Sequence, residues 1–210
     1  MHVDPSSLAG LASLAQWLFA IPVLIVLLKS FAVAKGNQII VLERRWFGRQ
    51  MPDGRTVALR NEVGIQARVL GPGFHLLIPF LYLVTKHPFF VVQKNAVGVV
   101  RAITGAPVPA GRFMARAVSC DLFQDGEAFL VNGGEKGPQL AILPEGEYKI
   151  NPHLFEVAEV PAVMIEDHEV GYVESIDGRP VTRDGGNFGS PVDCDSFQDA
   201  DAFLRNGGQK

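Results

Sequence analysis

The chain has 210 residues, with 19 Lys and Arg against 22 Asp and Glu and a formal net charge of −3. That balance offers no basic surface for nucleic acid, and its two cysteines are too few for a zinc site. Hydrophobic residues make up 48% of the sequence, enough for a membrane segment as well as a core.

The first predicted element is a transmembrane helix over residues 8–28, preceded by an extracytoplasmic tail, 1–7. Leu8 to Leu28 is a run of 21 residues without a charge, about 31 Å of helix, which matches the hydrocarbon thickness of a bilayer. Pro22 does not exclude a span, because neighbouring groups can satisfy the freed carbonyl. A cleavable signal peptide fits less well. Ala32-Val33-Ala34 has the small-residue pattern, but no Lys or Arg precedes Lys29 and the apolar core is too long. Positive charge follows the run at Lys29, Lys35, Arg44, Arg45 and Arg49. The positive-inside rule therefore predicts a single-pass protein with its N-terminus outside and the bulk of the chain cytoplasmic. Lys35, Arg44, Arg45 and Arg49 become candidate contacts to anionic lipid.

Ile39–Leu42 reads as a strand. The stretch Val69–Val92 is again apolar, but Gly71, Pro72, Gly73, Pro79 and Pro88 interrupt it, and Lys86 and His87 lie inside it. A strand pair or a surface-dipping loop fits better than a second span. Phe74, Leu77, Phe80 and Leu81 are its candidate contacts to membrane or to a neighbour, with core packing as the bland alternative.

From here the chain repeats itself. Val97–Val108 matches Val170–Val181, and Cys120–Asp125 matches Cys194–Asp199. Both copies run on through Ala-Phe-Leu-x-Asn-Gly-Gly-x-Lys to Lys136 and Lys210. Upstream, Leu70–Pro79 aligns with Leu143–Pro152, and Gly48–Arg55 echoes Gly105–Arg112. Three copies follow: 36–92, 93–160 and 166–210. The third stops at Lys210, where its predecessor continues into Gly137-Pro138-Gln139, so the chain reads as part of something longer. Val97–Ile103, Ala162–Ile165 and Val170–Ile176 are short and β-branched, which predicts strands. Ser196, with Asp199 three residues on, predicts a helix N-cap, and Asn206-Gly207-Gly208 a helix end. The matching helix would span about 122–131. The fold class expected is α+β: an N-terminal transmembrane helix followed by tandem small, mostly β units, each with one short helix.

The segment Ile39–Gly48 (IIVLERRWFG) together with Leu70-Gly71-Pro72-Gly73-Phe74-His75 through Pro79 resembles the start of an SPFH, or band 7, domain, the superfamily of stomatin, prohibitin and flotillin. The resemblance covers about 36–92, and the duplicated units are similar to those of extended bacterial flotillin-like proteins. It implies a membrane-bound scaffold that assembles with copies of itself, organises membrane lipids and client membrane proteins, and has no catalytic residues.

Little in the chain suggests chemistry. The five histidines show no metal-ligand spacing, so no metal and no cofactor is expected. Asn132-Gly133-Gly134 and Asn206-Gly207-Gly208 lack phosphate-loop spacing and read as helix caps. Glu166-Asp167-His168-Glu169 reads as a solvated linker, and no GxSxG elbow occurs. The expectation is a non-enzymatic, self-associating scaffold that binds no nucleic acid. The alternatives are a membrane-tethered adaptor or regulator of a protease or transporter, and a hydrolase whose active site lies in other sequence.

Overall fold

In a computed structural model the described residues are 5–181 and 189–210, with side chains of the first helix described from Gln16 onward. Residues 1–4 of the expected tail and 182–188 of the third copy lie outside them. Helix α1 (Pro5–Lys29) leads into a first unit of five strands. Strands β2 (Gln38–Arg44), β3 (Gly64–Leu70) and β5 (Tyr82–Pro88) form an antiparallel sheet with β2 in the middle. Strands β1 (Phe31–Ala34) and β4 (Gly73–Leu76) form a separate antiparallel pair.

The second unit repeats this plan. Strand β7 (Ala96–Ala102) lies between β8 (Gly137–Leu143) and β10 (Phe155–Pro161), while β6 (Phe90–Val92) pairs with β9 (Gly146–Tyr148). Even the irregularities recur. The β2–β3 register shifts between Val41 and Glu43, and the β7–β8 register shifts between Val99 and Arg101. Such a bulge bends the middle strand and increases its twist. The connection from β7 to β8 carries helix α2 (Gly126–Val131), and its counterpart near the end of the chain carries α3 (Ala200–Arg205).

The units share their cores. Val57 and Ala67 of the first unit join Val100, Phe123, Phe129, Leu143, Leu154 and Phe155 of the second in one buried cluster. The Asn151 amide, itself buried, donates to the carbonyls of Gln66 and Ala67 at 2.9 and 3.0 Å, tying the second unit to β3. Helix α2 begins with a glycine for a steric reason: a Cβ on Gly126 would lie 2.6 Å from the Ala67 oxygen and 2.7 Å from Leu154. Helix α3 repeats the relation by packing on β8 of the second unit.

Several expectations are corrected. The transmembrane helix over 8–28 is not found: among the described residues no helix is long and apolar enough to cross a membrane. The single-pass topology and the orientation argued from flanking charge rested on that span and fall with it.

The expectation of one helix per unit also fails. Among the described residues the β2–β3 connection contains none: it has 19 residues (45–63) against 34 (103–136) between β7 and β8, and Gly48–Arg55 matches Gly105–Arg112, which precedes α2, so the first unit has no counterpart to that helix segment. Ser196 is not an N-cap: Asp199 caps α3, its side chain accepting from the Ala202 N–H. Neither Ala162–Ile165 nor Val170–Ile176 forms a strand. In the second unit the equivalent strand, β7, is held on both edges by β8 and β10. Among the described residues no strand pairs with Val170–Ile176, and a lone strand leaves its backbone polar groups unpaired.

Candidate functional site

One position recurs at the closure of every unit. Glu62 accepts the Leu59 N–H at 2.8 Å and pairs with Arg55. Glu135 accepts the Arg116 N–H at 2.7 Å and pairs with Arg112. Gln209 accepts the Ser190 N–H at 2.7 Å through its amide oxygen. Burial pushes both glutamate carboxyls up, but the backbone N–H and the arginines outweigh it and hold them below the usual carboxylate range. Asp177 ties the third unit to the second, accepting the Phe113 and Met114 N–H groups at 2.8 and 2.9 Å. Burial raises its carboxyl too. The N–H groups of Met114, Phe113 and Gly178, helped by Lys210, prevail and keep it low. These are ionised acceptors satisfying backbone donors, an architectural use of charge.

The other titratable groups point the same way. His87 and His153 meet edge to face, ring centroids 5.7 Å apart, and burial together with the second imidazole lowers the His87 pKa. Among the described residues no group of three or more His, Cys, Asp or Glu is placed to hold a metal. Cys120 and Cys194 are free and buried, and burial pushes the Cys120 thiol up, away from thiolate reactivity.

The β1–β4 pair forms an exposed apolar face. Its register sets Phe31 opposite Leu76 and Val33 opposite Phe74, all four directed outward, while Ala32 and Ala34 turn in. Phe74 is 83% exposed and Phe80 64%. The adjoining Trp17–Leu28 segment of α1 is also exposed along its apolar side chains.

The residues singled out from the sequence separate here. Phe74 and Phe80 lie on the surface. Leu77 packs against Ala32, Ala34 and Ile40, and Leu81 is buried. Lys35 is exposed at the end of β1. Arg44 is committed to its own loop, donating to the Trp46 and Phe47 carbonyls and to Asn61. Arg45 is exposed, its N–H bonded to the Leu81 carbonyl at 3.0 Å. The exposed Arg49 exchanges backbone hydrogen bonds with Asn61 and Val63.

Phe31, Val33, Leu76 and Ile78 were missed as surface residues. The only signal for them was alternation within an almost unbroken apolar run, and alternation cannot say which half faces out. No protein-family model, curated protein or solved structure matches the chain.

Proposed function

We propose that this protein is a non-catalytic scaffold of stacked β units that assembles with copies of itself against a lipid surface. The observation that carries the reading is the stacking rule: α2 of the second unit seats on β3 of the first, and α3 seats on β8 of the second. A rule that repeats along a chain builds an extended surface without needing chemistry. The apolar face formed by Phe31, Val33, Phe74 and Leu76, continuous with the exposed side chains of α1, is the lipid-facing side. Lys35 and Arg45 border it in sequence and supply positive charge for anionic headgroups. The resemblance of 36–92 to the opening of SPFH domains supports the same reading.

The test is mass photometry of the full chain, alone and with vesicles of mixed neutral and anionic phospholipid. Discrete large assemblies that form or grow on vesicles are expected. A chain that stays monomeric in both conditions ends the scaffold reading. Assemblies that ignore the vesicles end its lipid part.

A further inference from the structure

Two tight turns leave the same end of the first sheet. Arg44 and Tyr82 pair across β2 and β5, and just beyond them the Arg45 N–H bonds to the Leu81 carbonyl at 3.0 Å. Trp46 and Phe47 therefore follow this bond on one strand, and Phe80 precedes it on the other. Phe47 and Phe80 both have left-handed backbones, with φ of 54° and 63°, a conformation that bulky side chains avoid. Phe123, at 64°, shows how burial offsets that strain: its ring is 4% exposed and meets Phe155 edge to face. The other two rings do not do this. Phe47 is 91% exposed, and Phe80 and the neighbouring Trp46 are exposed too. The turn at 46–47 is nonetheless fixed. Arg44 donates to the Trp46 and Phe47 carbonyls and to the Asn61 side chain. The Arg49 N–H bonds to the Asn61 carbonyl at 2.7 Å, and a Cβ on Gly48 would lie 2.9 Å from that same oxygen. A fixed turn that holds aromatic rings in water at a conformational cost points to a contact outside the chain.

We infer that this double turn is the point at which the protein enters an anionic bilayer surface, with Trp46, Phe47 and Phe80 in the interfacial layer and Arg45 and Arg49 on headgroup phosphates. It rests on the lipid reading proposed above and adds the residues that enter. Two observations favour a lipid surface over a protein partner. The first is charge. The chain as a whole is negative, yet across 43–55 Arg44, Arg45, Arg49 and Arg55 stand against only Glu43 and Asp53. Arg45 and Arg49 are exposed beside the rings. Aromatic rings next to free cations suit an interface in which the ring meets acyl chain and the cation meets phosphate. The second is continuity. Exposed Leu76 and Ile78 lead from the β1–β4 face directly to Phe80. A bilayer interface receives projecting side chains of this kind without a matching pocket, which a protein partner would have to supply.

The test uses the full chain carrying Trp17→Phe, which leaves Trp46 as its single indole, with vesicles of mixed neutral and anionic phospholipid. Trp46 emission is expected to shift to the blue on these vesicles and to be quenched by lipids brominated near the headgroup end of the acyl chain. Adding Phe47→Gly separates contact from architecture. Glycine accepts the left-handed backbone, so the unfolding temperature should hold or rise. Vesicle affinity should fall about tenfold with loss of the ring. A lowered unfolding temperature with unchanged affinity would make Phe47 a structural residue and overturn the inference. Vesicle binding with Trp46 emission unshifted and unquenched also overturns it, while leaving the broader lipid reading in place. Absence of vesicle binding ends both. A blue shift that follows protein concentration without lipid assigns the turns to a second copy, and overturns the inference as well.

Discussion

At the residue scale the units are closed by acceptors for single backbone N–H groups, and the three copies form an internal mutation series. Glu62 and Glu135 use a carboxylate backed by an arginine; Gln209 makes the same backbone bond as a neutral amide. Glu135→Gln is therefore expected to retain the Arg116 bond and lose less stability than Glu135→Ala, which removes the acceptor of that partly buried bond at a cost of about 1 kcal/mol. Urea unfolding of the two variants decides it, and equal losses would mean that the charge pair with Arg112 matters more than the backbone bond.

The same groups set the acid limb. Carboxyls whose folded pKa lies below the unfolded value contribute stability above the unfolded pKa and lose it as pH falls through the folded one. Glu62, Glu135 and Asp177 are all lowered. The urea midpoint should thus be unaffected by these groups above about pH 5 and fall below about pH 4.5. Glu135→Gln should make that fall shallower. None of this was legible from sequence, because an acceptor role is defined by a donor that folding brings close.

At the element scale the helix ends show how far local pattern reaches. Gly133 and Gly134 close α2 in a Schellman arrangement: the Gly134 N–H bonds to the Phe129 carbonyl at 2.8 Å, and that of Gly133 to Leu130 at 3.3 Å. Gly133 has φ +79°. A Cβ on Gly134 would lie 2.5 Å from the Phe129 ring. Gly133→Ala should cost about 1–2 kcal/mol for the left-handed backbone. Gly134→Ala should cost at least as much, about 1–3 kcal/mol, through the clash with the ring. Thermal unfolding of both variants checks the order; a neutral Gly134→Ala would mean that the ring moves aside freely.

The helix starts were harder to read. Asp121, Leu122 and Phe123 have φ of 49°, 49° and 64°, and Asp195, Ser196 and Phe197 repeat this at 52°, 50° and 66°. Three consecutive left-handed residues cost about 1–2 kcal/mol each, which no local preference of Leu, Ser or Phe repays. In the second unit the turn is held because it delivers Phe123 to Phe155, ring centroids 5.2 Å apart. The Ser196 cap motif is present in sequence but lies inside this turn, so the cap moves on to Asp199.

At the scale of the whole molecule, equivalent residues should differ in energetic weight with their place in the stack. Phe129 is 0% exposed, and Phe129→Ala should cost about 3–5 kcal/mol. Its counterpart Phe203 is only half-buried beside an open groove. Phe203→Ala should cost less, about 1–2 kcal/mol. Equal costs in urea unfolding would show that the third unit is as fully packed as the second. For the outer surface, Phe74→Glu should leave unfolding nearly unchanged and reduce co-sedimentation with anionic vesicles. Undiminished sedimentation would remove the β1–β4 face from lipid contact.

The sequence by itself determined the duplication, the strand character of β2 and β7 and the glycine-capped helix ends, because these depend on self-similarity or on neighbours within a few residues. Only the tertiary structure decided which apolar residues face out. Phe74 and Leu81 look alike in the sequence, and β1 pairing and burial separate them. It also decided that Val170–Ile176, a close match to β7, forms no strand in its own unit. Burial and strand pairing are relations between segments, and a segment without its partner has nothing to satisfy its edges.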